Sequence, residues 1–410
     1  MISFPKEKIS VVLLEGVHPS AVEAFHADGY STITRHPATL QGDALLDAVR
    51  EAHIIGIRSR THLTADVLSH ARRLVTIGCF CIGTDQVDLS SAAERGIPVF
   101  NAPFSNTRSV AELVIAESIL LVRGIPQRNA QLHRGQWNKS AAGAHEIRGK
   151  CLGIVGYGHI GTQVGVLAES LGMRVIFYDV VTKLALGNAT AVRTLDDLLA
   201  QADVVTLHVP DTPITRGLIR AREIALMRQG ATLINASRGL VVDVDALATA
   251  LEDGHLGGAA IDVFPEEPSG RGEPFESALR RFDQVILTPH IGGSTEEAQE
   301  AIGREVADKL IRYSNLGSTL TAVNFPEVSL TDHPGVHRLI HIHQNRPGML
   351  SQINAVFSRY GVNVSSEFLE TNSQLGYVVI DLEPNPATDT PLLRHELEAI
   401  DGTIRTRLLY

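Results

Sequence analysis

Three short segments of this 410-residue chain carry groups able to move a proton and grip an acid. Ser237-Arg238-Gly239 follows the apolar run 232–235, Asp262-Val263-Phe264-Pro265-Glu266-Glu267-Pro268 follows 259–261, and Pro289-His290 follows 285–288. Each apolar run reads as a parallel strand, and open α/β sheets collect ligands at the carboxyl ends of their strands. A histidine titrates where an acid–base catalyst must. A carboxylate bonded to it fixes its tautomer and favours its charged form, and an arginine fork can hold a substrate carboxylate and polarise the neighbouring oxygen. Together these groups suit hydride removal from the carbinol carbon of a 2-hydroxy acid. His290 is then the acid–base, Glu267 its partner and Arg238 the carboxylate anchor. The bland alternatives are a histidine bonded to its own loop, solvated loop acids at Glu266 and Glu267, and a surface salt bridge at Arg238.

A hydride needs an acceptor. Gly156-Tyr157-Gly158-His159-Ile160-Gly161 follows the apolar run 151–155 and precedes the helical pattern 162–171. Asp179 follows the next apolar run, 175–178. Glycines let the backbone approach a pyrophosphate, the helix start offers free N–H groups, and the acid accepts from a ribose hydroxyl. Asp179 favours NAD over NADP, because a carboxylate repels a 2′-phosphate. The competing reading is a tight strand–helix turn with no ligand.

The elements that must position these groups alternate strand and helix, which predicts mostly parallel sheets. The first hundred residues carry strand candidates at 11–14, 54–57, 75–78 and 99–100. Long helices are expected over 109–123, stopped at Gly124 and Pro126, and over 296–313. After 315–327 the periodicity is lost, and Asp332-His333-Pro334-Gly335 reads as a linker. The remainder runs strand 339–343, helix 347–360 with Pro347 in its first turn, strands 362–369 and 377–382, helix 391–400 and strand 403–409. That βαββαβ order predicts a ferredoxin-like module.

The totals narrow the class. Net charge is −10, which argues against nucleic-acid or anionic-membrane partners and requires any anion site to be locally basic. No apolar run is long enough to span a bilayer, and residues 1–10 lack a signal-peptide core. Three cysteines, with Cys79 and Cys81 in one apolar stretch, make no disulfide framework and no metal set, so buried thiols in a reducing cytoplasm are expected.

The segments 155–161, 235–239, 260–264 and 288–293, with Arg58-Ser59-Arg60-Thr61, 101–109 and Trp137-Asn138-Lys139, resemble the D-2-hydroxyacid dehydrogenase family from about residue 12 to residue 410. Within it the resemblance is to the bacterial members that oxidise 3-phosphoglycerate in serine biosynthesis. It implies a Rossmann-type NAD domain (108–295) inserted in a flavodoxin-like substrate domain (1–107 and 296–330), with a C-terminal ferredoxin-like ACT domain (338–410). A cleft between the first two would close on substrate.

The resemblance assigns catalysis to Arg238, Glu267 and His290. It assigns NAD contacts to Gly156, Gly158, His159, Ile160, Gly161, Asp179, Ala236, Ser237, Arg238, Asp262, His290, Ile291, Gly292 and Gly293, with Asp262 facing the nicotinamide carboxamide. Arg58, Arg60 and Lys139 would surround the substrate, with Asn106 orienting its carboxylate. Arg58 and Arg60 are expected to share a face as alternate residues of a strand end.

In the ACT module His343, Asn345, Arg346 and Asn363 would hold an L-serine effector between two subunits. Gln344 departs from the acid associated with its position, which puts serine sensitivity in doubt. A homotetramer is implied, with Trp137 packed into a neighbour. Open alternatives are another D-2-hydroxy acid or 2-oxoglutarate as substrate, a purely structural C-terminal module, and an NAD-sensing corepressor-like scaffold. The ACT-like module argues against the last.

Overall fold

In the computed structural model the described residues are 5–268, 272–332, 337–383 and 390–409. His333, Pro334 and Gly335 of the expected linker lie outside them. The chain forms two compact units, residues 1–105 with 299–410 and residues 106–298, so the second unit is an insertion in the first.

In the first unit, β1 (Val11–Leu13), β2 (Ile33–Arg35), β3 (Ile54–Ile57), β4 (Thr76–Cys79) and β5 (Val99–Asn101) form a parallel sheet in the order β2-β1-β3-β4-β5. This is the flavodoxin-like order. β1, β3, β4 and β5 are buried throughout, as strands covered on both faces must be. The helix Glu296–Leu316 lies so close to one face that a side chain on Gly78 would meet Leu310 at 2.7 Å.

The inserted unit holds seven parallel strands: β6 (Cys151–Val155), β7 (Arg174–Tyr178), β8 (Thr190–Ala191), β9 (Val204–Leu207), β10 (Thr232–Asn235), β11 (Gly258–Ile261) and β12 (Val285–Leu287). Their order, β12-β11-β10-β9-β6-β7-β8, reverses direction between β6 and β9, which opens the crevice where dinucleotides bind in Rossmann folds. The glycine motif leaves β6 at that point.

The C-terminal strands β13 (His337–Gln344), β14 (Val364–Thr371), β15 (Leu375–Leu382) and β16 (Thr403–Leu409) form an antiparallel sheet in the order β14-β15-β13-β16, the ferredoxin-like arrangement. One face shares a core with the first sheet, joining Ile340, Ile342 and Tyr377 to Val306 and Leu310. The other is covered by the helices Met349–Arg359 and Thr390–Glu398. Arg338 forks onto Asp381 at 2.7 and 2.9 Å, a buried ion pair between β13 and β15, and donates to the Leu316 and Thr331 carbonyls, which ties β13 to the segment before it.

Three local expectations are corrected. Pro126 does not end the long helix Thr107–Val122; Gly124, at φ +62, turns the chain, and Pro126 opens a second helix, Ile125–His133, where its missing N–H is harmless. Pro347 lies outside the helix Met349–Arg359, whose cap is Gly348 at φ +86. Arg58 and Arg60 lie past the end of β3, so strand alternation does not orient them.

Candidate active site

The loops that follow β10, β11 and β12 meet in the inserted unit through backbone contacts only small residues permit. A side chain on Gly239 would fall 2.0 Å from the Phe264 carbonyl carbon, so the Arg238 loop and the 264–267 loop touch main chain to main chain. Asn235 organises the first loop: its Oδ1 accepts from the Ser237 N–H and hydroxyl at 3.1 and 2.8 Å, and its Nδ2 donates to the Arg238 carbonyl at 3.0 Å.

Asp262, 2% exposed, organises the last loop. Its carboxylate accepts from the Thr288 hydroxyl at 2.6 Å and from the Ile291 and Gly292 N–H groups, both at 2.8 Å. The His290 N–H donates to the Asp262 carbonyl at 2.8 Å, and the His290 backbone sits at φ +54. A left-handed conformation at a non-glycine costs about 1–2 kcal/mol, and the surrounding bonds hold it.

This brings His290 Nδ1 to 2.8 Å from Glu267 Oε2, while Glu267 Oε1 accepts from the Phe264 N–H at 3.0 Å. The bond to Glu267 raises His290 above its ordinary value against the opposing effect of burial; the charges of Glu267 and Asp262 add to the rise and that of Arg238 subtracts from it. Burial works against the Glu267 carboxylate, yet the bonds from His290 and Phe264 and the charges of His290 and Arg238 hold its carboxyl below the usual range. All three chemical groups therefore act on one another. With Nδ1–H committed to Glu267, Nε2 is left for a substrate hydroxyl.

The cofactor motif is shaped for a dinucleotide. Gly156 takes φ +91, and a side chain there would lie 2.4 Å from the His208 carbonyl oxygen. A side chain on Gly161 would lie 2.2 Å from the Gly156 carbonyl oxygen, so the helix His159–Ser170 packs directly on the turn. Gly158, the cap of that helix, faces open space, the room a pyrophosphate needs beside free N–H groups. Asp179 is drawn over the turn by the Tyr157 N–H at 2.9 Å and the Val181 N–H at 3.1 Å. These residues fit NAD.

The other expected residues are placed less tightly. Asn106 begins the helix Thr107–Val122, is 8% exposed, and its Oδ1 has no partner among the described residues; Gly293 packs against its Nδ2. Lys139 and Trp137 lie in an exposed loop, and no described polar contact joins Lys139 to the triad. In the C-terminal module His343 is buried with Nδ1 3.3 Å from His341 Nδ1, Asn345 donates to the Asn372 carbonyl at 2.7 Å, and Arg346 pairs with Asp401 at 2.9 Å. Asn363 is exposed immediately before β14.

Two acids were missed. Glu15, buried at φ +60, accepts from the Arg58, Arg60 and Thr61 N–H groups at 3.1, 3.0 and 2.8 Å and lies 3.8 Å from the Arg60 guanidinium. An acid and a glycine directly after an apolar strand was the available signal. Glu117 takes an apolar-face position with Val110, Val114 and Leu121, is 2% exposed, and has no partner for either oxygen among the described residues. Burial foremost, then the Asp262 charge, pushes it up to about 8.

Residues 115–292 match the model of the D-isomer specific 2-hydroxyacid dehydrogenase NAD-binding domain, and residues 339–405 match an AHAS small subunit-like ACT domain. D-3-phosphoglycerate dehydrogenase of Escherichia coli K12 is 61% identical over 409 residues, spanning all of this chain and 99% of its own length. The Haemophilus influenzae enzyme of the same name is 59% identical over the same spans. Among solved structures, a D-2-hydroxyisocaproate dehydrogenase aligns with a TM-score of 0.68 at 26% identity, over 77% of this chain and 99% of that one. The Aquifex aeolicus D-lactate dehydrogenase, solved with NAD and lactic acid, aligns with a TM-score of 0.66 at 29% identity, over 74% of this chain and 95% of that one.

Proposed function

This chain belongs to the D-3-phosphoglycerate dehydrogenases of the D-isomer specific 2-hydroxyacid dehydrogenase family, and from that membership we propose that it oxidises 3-phospho-D-glycerate to 3-phosphooxypyruvate with NAD, the first step of L-serine biosynthesis. The observation that carries this reading is the full-length identity to the Escherichia coli relative, C-terminal module included.

When bound, NAD supplies the acceptor for the hydride of the carbinol carbon. The residues that would hold it are Gly156, Gly158, His159, Ile160 and Gly161, with Asp179, Ala236, Ser237, Arg238, Asp262, Ile291, Gly292 and Gly293. His290 Nε2 takes the hydroxyl proton, and Glu267 stabilises the resulting imidazolium. Arg238 grips the substrate carboxylate and orients the reacting carbon. Arg58, Arg60, Asn106 and Lys139 recognise the carboxylate and phosphate, and the bonds from Glu15 hold the loop carrying the first two. Asp262 acts chiefly by fixing the 288–292 loop, since both its oxygens already accept from that loop.

L-serine inhibits from the C-terminal module through His343, Asn345, Arg346 and Asn363. Subunits join there and at the exposed Trp137 loop in a homotetramer; the exposed edge strand β14, with Phe368 and Leu369, supports that pairing. Cytoplasmic placement fits a chain whose cysteines, Cys79, Cys81 and Cys151, form no disulfide among the described residues. Comparing kcat/KM for 3-phosphoglycerate with that for D-lactate and D-2-hydroxyglutarate tests the substrate. The phosphorylated acid should lead by at least about tenfold, and Arg60→Ala should narrow the lead by about tenfold, the loss of one charge-assisted contact. Equal kcat/KM for all three acids would overturn the assignment.

A further inference from the structure

In the first unit, five arginines that carry none of the roles assigned above line one pocket of about 340 Å³: Arg72 and Arg73 ahead of β4, Arg394 on the last helix, and Arg405 and Arg407 on β16. Glu398 is the only carboxylate among the lining residues, and Arg394 already pairs with it at 2.6 Å. Arg73 pairs with Glu51 at 3.0 Å. The other three have no carboxylate partner among the described residues. Arg72 is exposed. Arg405 is tied to main chain, donating to the Leu74 carbonyl at 2.6 Å. Arg407 donates to the Ser314 carbonyl at 3.3 Å and lies over the Tyr313 ring, while its buried Nη1 has no acceptor among the described residues.

Gathering like charges this closely is unfavourable unless an anion offsets them. Burial foremost, with the Arg407 charge, lowers Arg405 below its ordinary value against the opposing effect of Tyr313. The chain carries a net charge of −10, so a concentration of positive charge here is a local exception that would draw anions. Guanidinium forks match phosphate oxygens in pairs. The volume has room for a small anion.

We propose that this pocket binds a small polyphosphate or bisphosphate anion, held between the segment that leads into β4 and strand β16. Such a ligand would tie the C-terminal module to the first sheet, adding to the Arg405 bonds that already do so.

The test is titration calorimetry of inorganic pyrophosphate into the full chain with NADH saturating, so that the cofactor crevice cannot take up the probe. Wild-type chain should bind saturably. Arg72→Glu/Arg394→Glu should weaken binding by roughly tenfold or more, since each lost charge-assisted contact is worth about that factor. Arg60→Ala should leave it unchanged. Absence of saturable binding, or unaltered affinity in the double variant at a wild-type melting temperature, overturns the proposal. Loss of binding in Arg60→Ala alone also overturns it, by moving the anion to the substrate-recognition residues.

Discussion

His290 holds a left-handed backbone that no β12 strand residue would adopt, and five hydrogen bonds between its loop and Asp262 or Glu267 keep it there. Its ring is thereby committed to one tautomer. Because Glu267 raises His290, the neutral base needed for oxidation appears only at higher pH than an ordinary histidine would allow. Oxidation should therefore rise with pH through the His290 value, and reduction, which needs the imidazolium, should fall through it. Glu267→Gln removes the charge that supports the imidazolium. Both midpoints should move to lower pH, and kcat should drop by about 10²-fold or more. Midpoints that stay in place in that variant would mean that Glu267 does not tune His290. That the loops carrying Arg238, Glu267 and His290 meet was legible from residue type and position at three strand ends. The backbone strain at His290 and the three donors on Asp262 were not, since both depend on loops that close only in three dimensions.

At the scale of elements, the periodicities that marked buried parallel strands carried most of the architecture, because continuous apolar runs have few alternatives. Proline was read less well: Pro126 and Pro347 each lie beside a glycine whose positive φ makes the turn, and only the backbone shows which of the two decides. The helix Thr107–Val122 hides an acid in an apolar stripe. Glu117, raised from an ordinary 4.5 to about 8, stays protonated in the folded chain while the unfolded chain ionises. Between those values the folded state binds more protons, so stability falls as pH rises, by on the order of 4 kcal/mol across the window. Glu117→Gln should abolish that fall: urea midpoints of wild type and variant should diverge in the variant's favour from pH 5 to pH 8. Parallel curves would show that Glu117 ionises freely in the folded chain.

At the scale of the whole molecule, the chain passes between its two units twice, and the helix Glu296–Leu316 contains the second passage, at residues 298–299. The mid-chain position of the glycine motif follows from that insertion. The C-terminal module shares a core with the first sheet and is tied to the preceding segment by the Arg338 bonds to the Leu316 and Thr331 carbonyls. That union was not legible in the sequence, because a βαββαβ pattern carries no sign of the face it docks. The proposed effector residues thus belong to one unit and the acid–base pair to the other. The inhibition proposed for L-serine therefore involves none of the acid–base residues and should not compete at His290. The most direct measurement is the initial rate of NADH formation by the full chain with 3-phosphoglycerate and NAD, with and without L-serine. NADH production should be steady, and L-serine should suppress it without being displaced by excess 3-phosphoglycerate. No NADH formation with 3-phosphoglycerate would contradict the assigned reaction, and a rate indifferent to L-serine would contradict the assigned regulation.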